Sequence, residues 1–288
     1  MKSATQLVLA LAVALAAAPA AFATTDITLT NGQSTAHVDP STSAGMYHWD
    51  IQGQNQLNQQ WFWYRIGDTG GEQPINAISA PSTNQISAGI AQITYDNAIL
   101  GVTIQFSLTA NASPVTVGSS TWADMGEQIT LVNHSASPLS LHFFQYSNFD
   151  LGAPSNDDAE LLQLVHHADR YVGASQSDAT NSLTESVSEV SPWANEGEVN
   201  FFHDTLDKLN DALPTTLSNA VGPVGPGNVT WALEWDLTLA ANGGSIGISK
   251  DKSLNIILLP NGGNVPEPST IGLLACGAAA LLLRRRHA

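Results

Sequence analysis

Between Asn228 and Ala240, Val229, Trp231, Leu233, Trp235, Leu237 and Leu239 alternate with Thr230, Ala232, Glu234, Asp236 and Thr238. A period of two predicts a β-strand with one face in a core and the other toward solvent. Gly243-Gly244 closes it, and Ser245–Lys250 and Ser253–Leu259, separated by Asp251-Lys252, complete a predicted C-terminal meander. Further strands are predicted at Ile27–Leu29, Thr35–Asp39, Gln60–Arg65, Ala91–Tyr95, Ile99–Thr109, Gln128–Asn133 and Leu139–Asp150. In the last, Leu141 and Phe143 lie on one face and Phe144 and Tyr146 on the other, the pattern of a central strand covered twice.

Asn31-Gly32, Asp68-Thr69-Gly70-Gly71, Asn133-His134-Ser135 and Gly225-Pro226-Gly227-Asn228 punctuate these runs with turn chemistry. Only Phe201–Leu213 places apolar residues (Phe202, Leu206, Leu209, Leu213) at helical spacing. The segment from Asn156 to Ala212 holds few clean alternations, and no repeat of fixed period occurs. The expected fold is all-β: an antiparallel β-sandwich or related two-sheet fold with at most one short helix.

The two ends follow other rules. Lys2, the apolar run Leu7–Ala18 and the small residues Ala21 and Ala23 around Phe22 have the anatomy of a signal peptide, with signal peptidase acting before Thr24. At the other end, Val265-Pro266-Glu267-Pro268-Ser269-Thr270 precedes the apolar run Ile271–Leu283 and then Arg284, Arg285 and Arg286. Those 13 apolar residues reach about 20 Å as a helix, against ~30 Å of hydrocarbon. The arginines belong on the cytoplasmic side, which leaves Pro266-Glu267-Pro268 on the outer face, extended by its prolines.

This tail resembles the PEP-CTERM sorting signal of Gram-negative bacteria. The resemblance implies that an exosortase recognises Pro266, Glu267 and Pro268, cleaves near them, and passes the body to the cell surface or matrix. Such proteins accompany exopolysaccharide and biofilm. The resemblance covers only the tail and implies no active site. The expected organisation is a signal peptide at 1–23, an exported β-rich body at 24–264, and a sorting signal at 265–288, held in the inner membrane only before processing.

Charge sharpens the picture of the body. The chain of 288 residues is 12% charged, with a formal charge of −16 and one cysteine, Cys276, inside the tail. Loss of Lys2, Arg284–Arg286 and Glu267 leaves 5 basic and 24 acidic residues, a cysteine-free body of charge −19. Such a surface repels nucleic acid and anionic lipid, whereas divalent cations screen it. A disulfide framework and a thiolate metal cluster are excluded for the body.

Several groups are candidates for chemistry. His166 and His167, with His134, His142 or His203, are a weak prospect for a transition-metal site, because neighbours on a strand face opposite ways. Asp150, Asp157, Asp158 and Glu160 supply the hard oxygens that calcium takes, without EF-hand spacing. Glu234 and Asp236 share a strand face roughly 7 Å apart, a spacing compatible with an inverting glycosidase or a solvated face. Trp61 and Trp63 share a face and are candidates for sugar stacking; their alternative is core packing. Trp49, Trp122 and Trp193 lie in polar surroundings. No nucleophile elbow or phosphate loop is present. The expected function is a non-catalytic, exosortase-processed surface or matrix protein, the alternatives being a lectin-like module and a secreted polysaccharide-active hydrolase.

Overall fold

The computed structural model describes residues 26–152, 156–164, 167–180 and 185–257. The chain opens with β1 (Ile27–Asn31), β2 (Ser34–Asp39), β3 (Gly45–Ile51), β4 (Gln54–Asn55), β5 (Leu57–Ile66) and β6 (Gln73–Pro74). A 3-10 turn at Ile75–Ala77 leads to β7 (Ser82–Ser87), β8 (Ile90–Asp96), β9 (Leu100–Ala110), β10 (Ser120–Asn133) and β11 (Leu139–Phe149). Then come β12 (Asp157–Leu164), β13 (His167–Asp178), β14 (Glu185–Ala194) and β15 (Glu196–Phe201). Helix α1 (Asp204–Leu209), β16 (Val224–Gly227), β17 (Val229–Leu239) and β18 (Ser245–Ile257) complete the described chain.

Two nine-stranded sheets result. The first runs β1-β2-β3-β5-β11-β17-β15, with β4 beside β3 and β6 beside β5; the second runs β16-β12-β13-β14-β18-β10-β9-β8-β7. Every described pairing is antiparallel except the short β3–β5 contact. The expected all-β two-sheet fold with one short helix is therefore what forms.

β11 sits between β5 and β17 and is buried on both faces along most of its length, as its two-sided apolar pattern predicts. Rings from the first sheet form most of the aromatic core, joined by Tyr95 and Phe106 of the second. Phe62 stacks on Phe143 at 5.6 Å, Phe143 meets Trp235 at 6.3 Å, and Phe149 stacks on Trp231 at 6.4 Å. Removing a ring such as Trp235 would cost about 3–5 kcal/mol. Gly45 lets β3 approach β5: its φ is +58°, and a Cβ there would fall 2.2 Å from the Trp61 ring.

The structure corrects four expectations. The two C-terminal segments are one continuous strand, β18, because Asp251 points outward and Lys252 inward without breaking the ladder. β17 and β18 are not a meander within one sheet. β17 pairs with β11 and β15, whereas β18 pairs with β10 and β14, so the chain changes sheet at Asn242-Gly243. β17 is buried on both faces from Val229 to Trp235, not on one. The acidic stretch read as irregular forms β12 to β15, and the helix spans only Asp204–Leu209.

Candidate functional site: a capped carboxylate cluster and a rim cleft

Cross-strand register assembles the site on the face of the first sheet that points away from the second. His142 of β11 lies opposite Asp236 of β17 on one side and Arg65 of β5 on the other. Because side chains alternate, Glu234 shares the face of Asp236. His142 Nδ1 is 2.5 Å from Asp236 Oδ1 and 3.2 Å from Glu234 Oε1, and its Nε2 is 3.7 Å from the exposed Asp68. One imidazole thus stands among three carboxylates. The ligand-type atoms of His142, Glu234 and Asp236 all lie within 4.8 Å of one another.

A strap of chain after α1 seals the buried side of this cluster. Three of its backbone N–H groups donate to three carboxylates: Thr215 to Glu72 Oε1 at 2.9 Å, Leu217 to Glu234 Oε2 at 3.1 Å, and Ser218 to Glu198 Oε2 at 2.9 Å. Arg65 is locked beneath it, with Nε donating to Glu72 Oε1 at 3.0 Å and Nη2 to the Thr215 carbonyl at 3.1 Å. Glu198 also accepts from Thr205 at 2.6 Å and from Lys208 at 2.9 Å. Burial raises the Glu198 pKa, but these hydrogen bonds outweigh it and hold the group below its ordinary value. Glu234 goes the other way. Burial pushes it up to about 8; the Leu217 amide and the Arg65 charge oppose that, while Asp236 and Glu196 reinforce it. It is therefore mostly protonated at neutral pH, which limits the negative charge around His142.

Beside this cluster, at the rim where β15 stops pairing with β17, lies an open cleft of about 360 Å³ lined by Arg170, Pro192, Trp193, Asn195, Trp235, Asp236 and Leu237. Trp193 is 41% exposed. Asn195 is the residue on which the chain passes from β14 to β15. Its N–H donates to the Glu234 carbonyl at 2.8 Å, and its Oδ1 accepts the Asp236 N–H at 3.0 Å. An aromatic face bordered by a guanidinium, an amide and a carboxylate is suited to a polyhydroxylated ring: apolar C–H on the indole, hydroxyls on the polar groups.

The candidates read from the sequence divide as follows. Trp61 and Trp63 are both 0% exposed, their indole N–H groups donating to Asn76 at 3.4 Å and Asn210 at 3.2 Å, so both rings are packing groups with no face open to a sugar. Trp49 is also buried, while Trp122 is exposed. Asp157 is buried and accepts from the Leu151 N–H at 2.9 Å and Gln176 Nε2 at 2.7 Å. Burial pushes it up to about 7. Asp158 and Glu160 lie on the opposite face of β12, with Ser175, Ser177 and Pro223, and Asp150 pairs with Asn58. Alternation thus sets Asp157 apart from Asp158 and Glu160, while Asp150 lies near enough to Asp157 to push its pKa up. The described histidines are scattered too: His134 bonds Asp96 at 2.7 Å, and His203 lies 4.0 Å from Asp207. Ala21, Ala23, Val265, Pro266, Glu267, Pro268, Ser269, Arg284, Arg285, Arg286 and His166 lie outside the described residues.

Glu234 and Asp236 do share a face as expected, and one oxygen of each lies within 4.8 Å of the other. Both are drawn to the same His142 Nδ1, whereas an inverting pair keeps its carboxyl groups ~6.5–9.5 Å apart to admit a water. The sequence named His142, Glu234 and Asp236 in separate contexts, and nothing in it joined them, because register across β11 and β17 is not written in either strand. Arg170 and the cleft around Trp193 were missed for the same reason.

The fold defines the class first. The chain shares its two-sheet architecture with a galactose mutarotase related enzyme from Lactobacillus acidophilus, at a TM-score of 0.51 and 7% identity over 81% of this chain and 98% of that one. A bacterial glucoamylase complexed with acarbose gives a TM-score of 0.51 at 7% identity over 80% of this chain. The chain spans about a third of that glucoamylase's length (32%). Likeness at such identity concerns fold alone. No curated protein matches the chain by sequence.

The tail supplies the more particular assignment. Residues 264–286 match the PEP-CTERM protein-sorting motif, so this is an exported protein sorted by an exosortase, transiently anchored and then passed to the surface. Among the described residues, no helix is long and apolar enough to cross a membrane.

Proposed function

We propose that the body is a non-catalytic saccharide-binding protein of the extracellular polymer, delivered to the surface by exosortase and using the Trp193 cleft to hold sugar. The observation that carries this reading is the exposed Trp193 ring in a cleft with Arg170, Asn195 and Asp236. The capped state of the neighbouring cluster supports the non-catalytic part. Glu234 is 1% exposed, with one oxygen on the Leu217 amide and the other on His142, and Arg65 is committed to Glu72 and Thr215. Glu234 and Arg65 are thus engaged by the strap and its neighbours, whereas the cleft side offers Trp193, Arg170, Asn195 and Asp236.

The solved structures that share the fold include proteins whose names concern galactose mutarotation and glucoamylase action, which makes a saccharide the natural ligand class to test. Co-sedimentation with extracellular polysaccharide purified from the producing cells provides that test. The wild-type protein is expected to pellet with the polymer and Trp193→Ala to stay in solution. Equal pelleting of both proteins, or no pelleting of either, overturns the reading. Delivery is tested separately: Glu267→Ala is expected to leave the precursor unprocessed and membrane-bound, and its normal release would contradict the sorting step.

A further inference from the structure

Between the two sheets the fold encloses an amine, a carboxamide and a carboxylate. Gln60 of β5, Glu127 of β10 and Lys252 of β18 are 0%, 2% and 1% exposed. Lys252 Nζ donates both to Gln60 Oε1 and to Glu127 Oε1. Lys250, directly opposite Glu127 in the ladder, brings its Nζ to 3.1 Å from Glu127 Oε2 and 5.2 Å from the centre of the Phe62 ring. Among the described residues, Gln60 Nε2 has no hydrogen-bond partner to hold the amide nitrogen in place.

A solvated lysine is a poor nucleophile because it is protonated. Here two amines face one carboxylate in a dry interior, and Glu127 can neutralise only one ammonium. The other is more stable as a neutral amine. Burial pushes Lys250 down to about 7 and Lys252 below its ordinary value. Burial alone would raise Glu127, but the two lysines more than offset it and keep the group ionised. With the shared proton on Lys250, between Glu127 Oε2 and the face of Phe62, Lys252 is the neutral amine in contact with the carboxamide. That amine, with a carboxylate to carry protons and little water to compete, has the components of an acyl transfer.

The geometry points to an intramolecular isopeptide bond between Lys252 Nζ and Gln60 Cδ, formed by the protein itself with Glu127 as proton carrier. The Lys252 lone pair adds to Cδ, and the carbonyl pair moves onto Oε1. Glu127 takes a proton from the added nitrogen and delivers it to Nε2. The Cδ–Nε2 bond breaks as the carbonyl re-forms, and ammonia leaves. No oxidant, reductant or cofactor enters the balance. The bond joins the first sheet to the second across 192 residues of chain. It would do in a cysteine-free body what a long-range disulfide does elsewhere, by restricting the unfolded chain. This inference is independent of the saccharide reading.

Tryptic mapping of the denatured full chain tests it. The expected product is a branched peptide in which the segment ending at Arg65 is joined to the one beginning at Asp251. Its mass should fall one ammonia below the sum of its parts, with cleavage kept after Lys250 and lost after Lys252. Lys252→Arg should return both linear peptides, and Gln60→Glu should give the same branched product through loss of water. Glu127→Gln, if its near-ultraviolet dichroism shows a folded core, should leave the peptides linear; a branch formed in that folded variant overturns the role of Glu127. Only linear peptides from the wild-type protein overturn the bond itself, whatever the variants do, and a branch through Lys250 overturns the assignment to Lys252.

Discussion

Two groups of buried ionisable side chains are held in this protein by different means. On the outer face of the first sheet, Glu72, Glu198 and Glu234 each receive a backbone N–H from the strap at Thr215, Leu217 and Ser218. Between the sheets, Glu127, Lys250 and Lys252 have no backbone donor or acceptor among their described partners and meet one another, Gln60 and the face of Phe62. The difference follows from what covers each face. An irregular strap has main-chain groups to spare, whereas a facing sheet has already used its own in the ladder. Carboxylates beneath a strap are thus fixed as structure, and charges between sheets are left to react or repel.

The comparison can be broken most forcefully from the inside. Glu127→Ala leaves two buried amines without a counter-charge and should cost about 3–5 kcal/mol, read as a lower denaturant midpoint. A variant as stable as the parent would mean that water already reaches this cluster. On the outer side, Arg65→Met strands Glu72 next to the Thr215 amide. The loss should be smaller, about 2–3 kcal/mol, because that amide still satisfies one oxygen.

Glu234 provides a pH test of intermediate size. Its folded pKa, about 8, lies above the ordinary 4.5, so the folded state binds more protons than the unfolded state in that window. Stability should therefore fall as pH rises from the ordinary value toward 8, and Asp157, raised to about 7, adds in the same direction. Glu234→Gln should flatten that fall and raise the stability at pH 8 by about 2–4 kcal/mol, read as a higher melting temperature. Lys250 works in the opposite sense above its folded pKa of about 7, because the unfolded state then holds the extra proton. A Glu234→Gln protein whose stability falls as steeply as the parent's toward pH 8, beyond the share that Asp157 contributes, would show that the strap does not bury that carboxylate. The smallest effect belongs to the rim: Trp193→Ala should change stability by no more than about 0.5 kcal/mol, since its ring is well exposed.

The same contrast explains what could be read in the sequence. β11 and β17 announce themselves because large apolar residues dominate both, and the sheet class follows from them. β14 is hidden because Ser186 and Ser188 occupy inward positions where a core strand usually shows apolar side chains. β18 was split at Asp251-Lys252 because a lysine in a core is read as a turn; the buried amine that interrupts the pattern is the one that faces Gln60. Trp61 and Trp63 share a face as read, and of their two open readings the structure shows core packing; nothing in β5 alone decides between them, because loops cover its outer side. The meeting of His142 with Asp236 depends on register, and the Trp193 cleft depends on where β15 ends. Both are properties of paired strands and not of either strand alone. The sorting tail was fully legible because an exosortase reads it as sequence.

The most direct test of the central claim is a tryptophan-fluorescence titration with oligosaccharides released from the producing cells' own polymer. The account predicts a saturable change in the wild-type protein that is lost in Trp193→Ala and kept in Trp122→Ala, whose ring is also exposed but lies on β10 of the second sheet. A response that survives Trp193→Ala and disappears with Trp122→Ala would place the sugar elsewhere and contradict the assignment of the rim cleft.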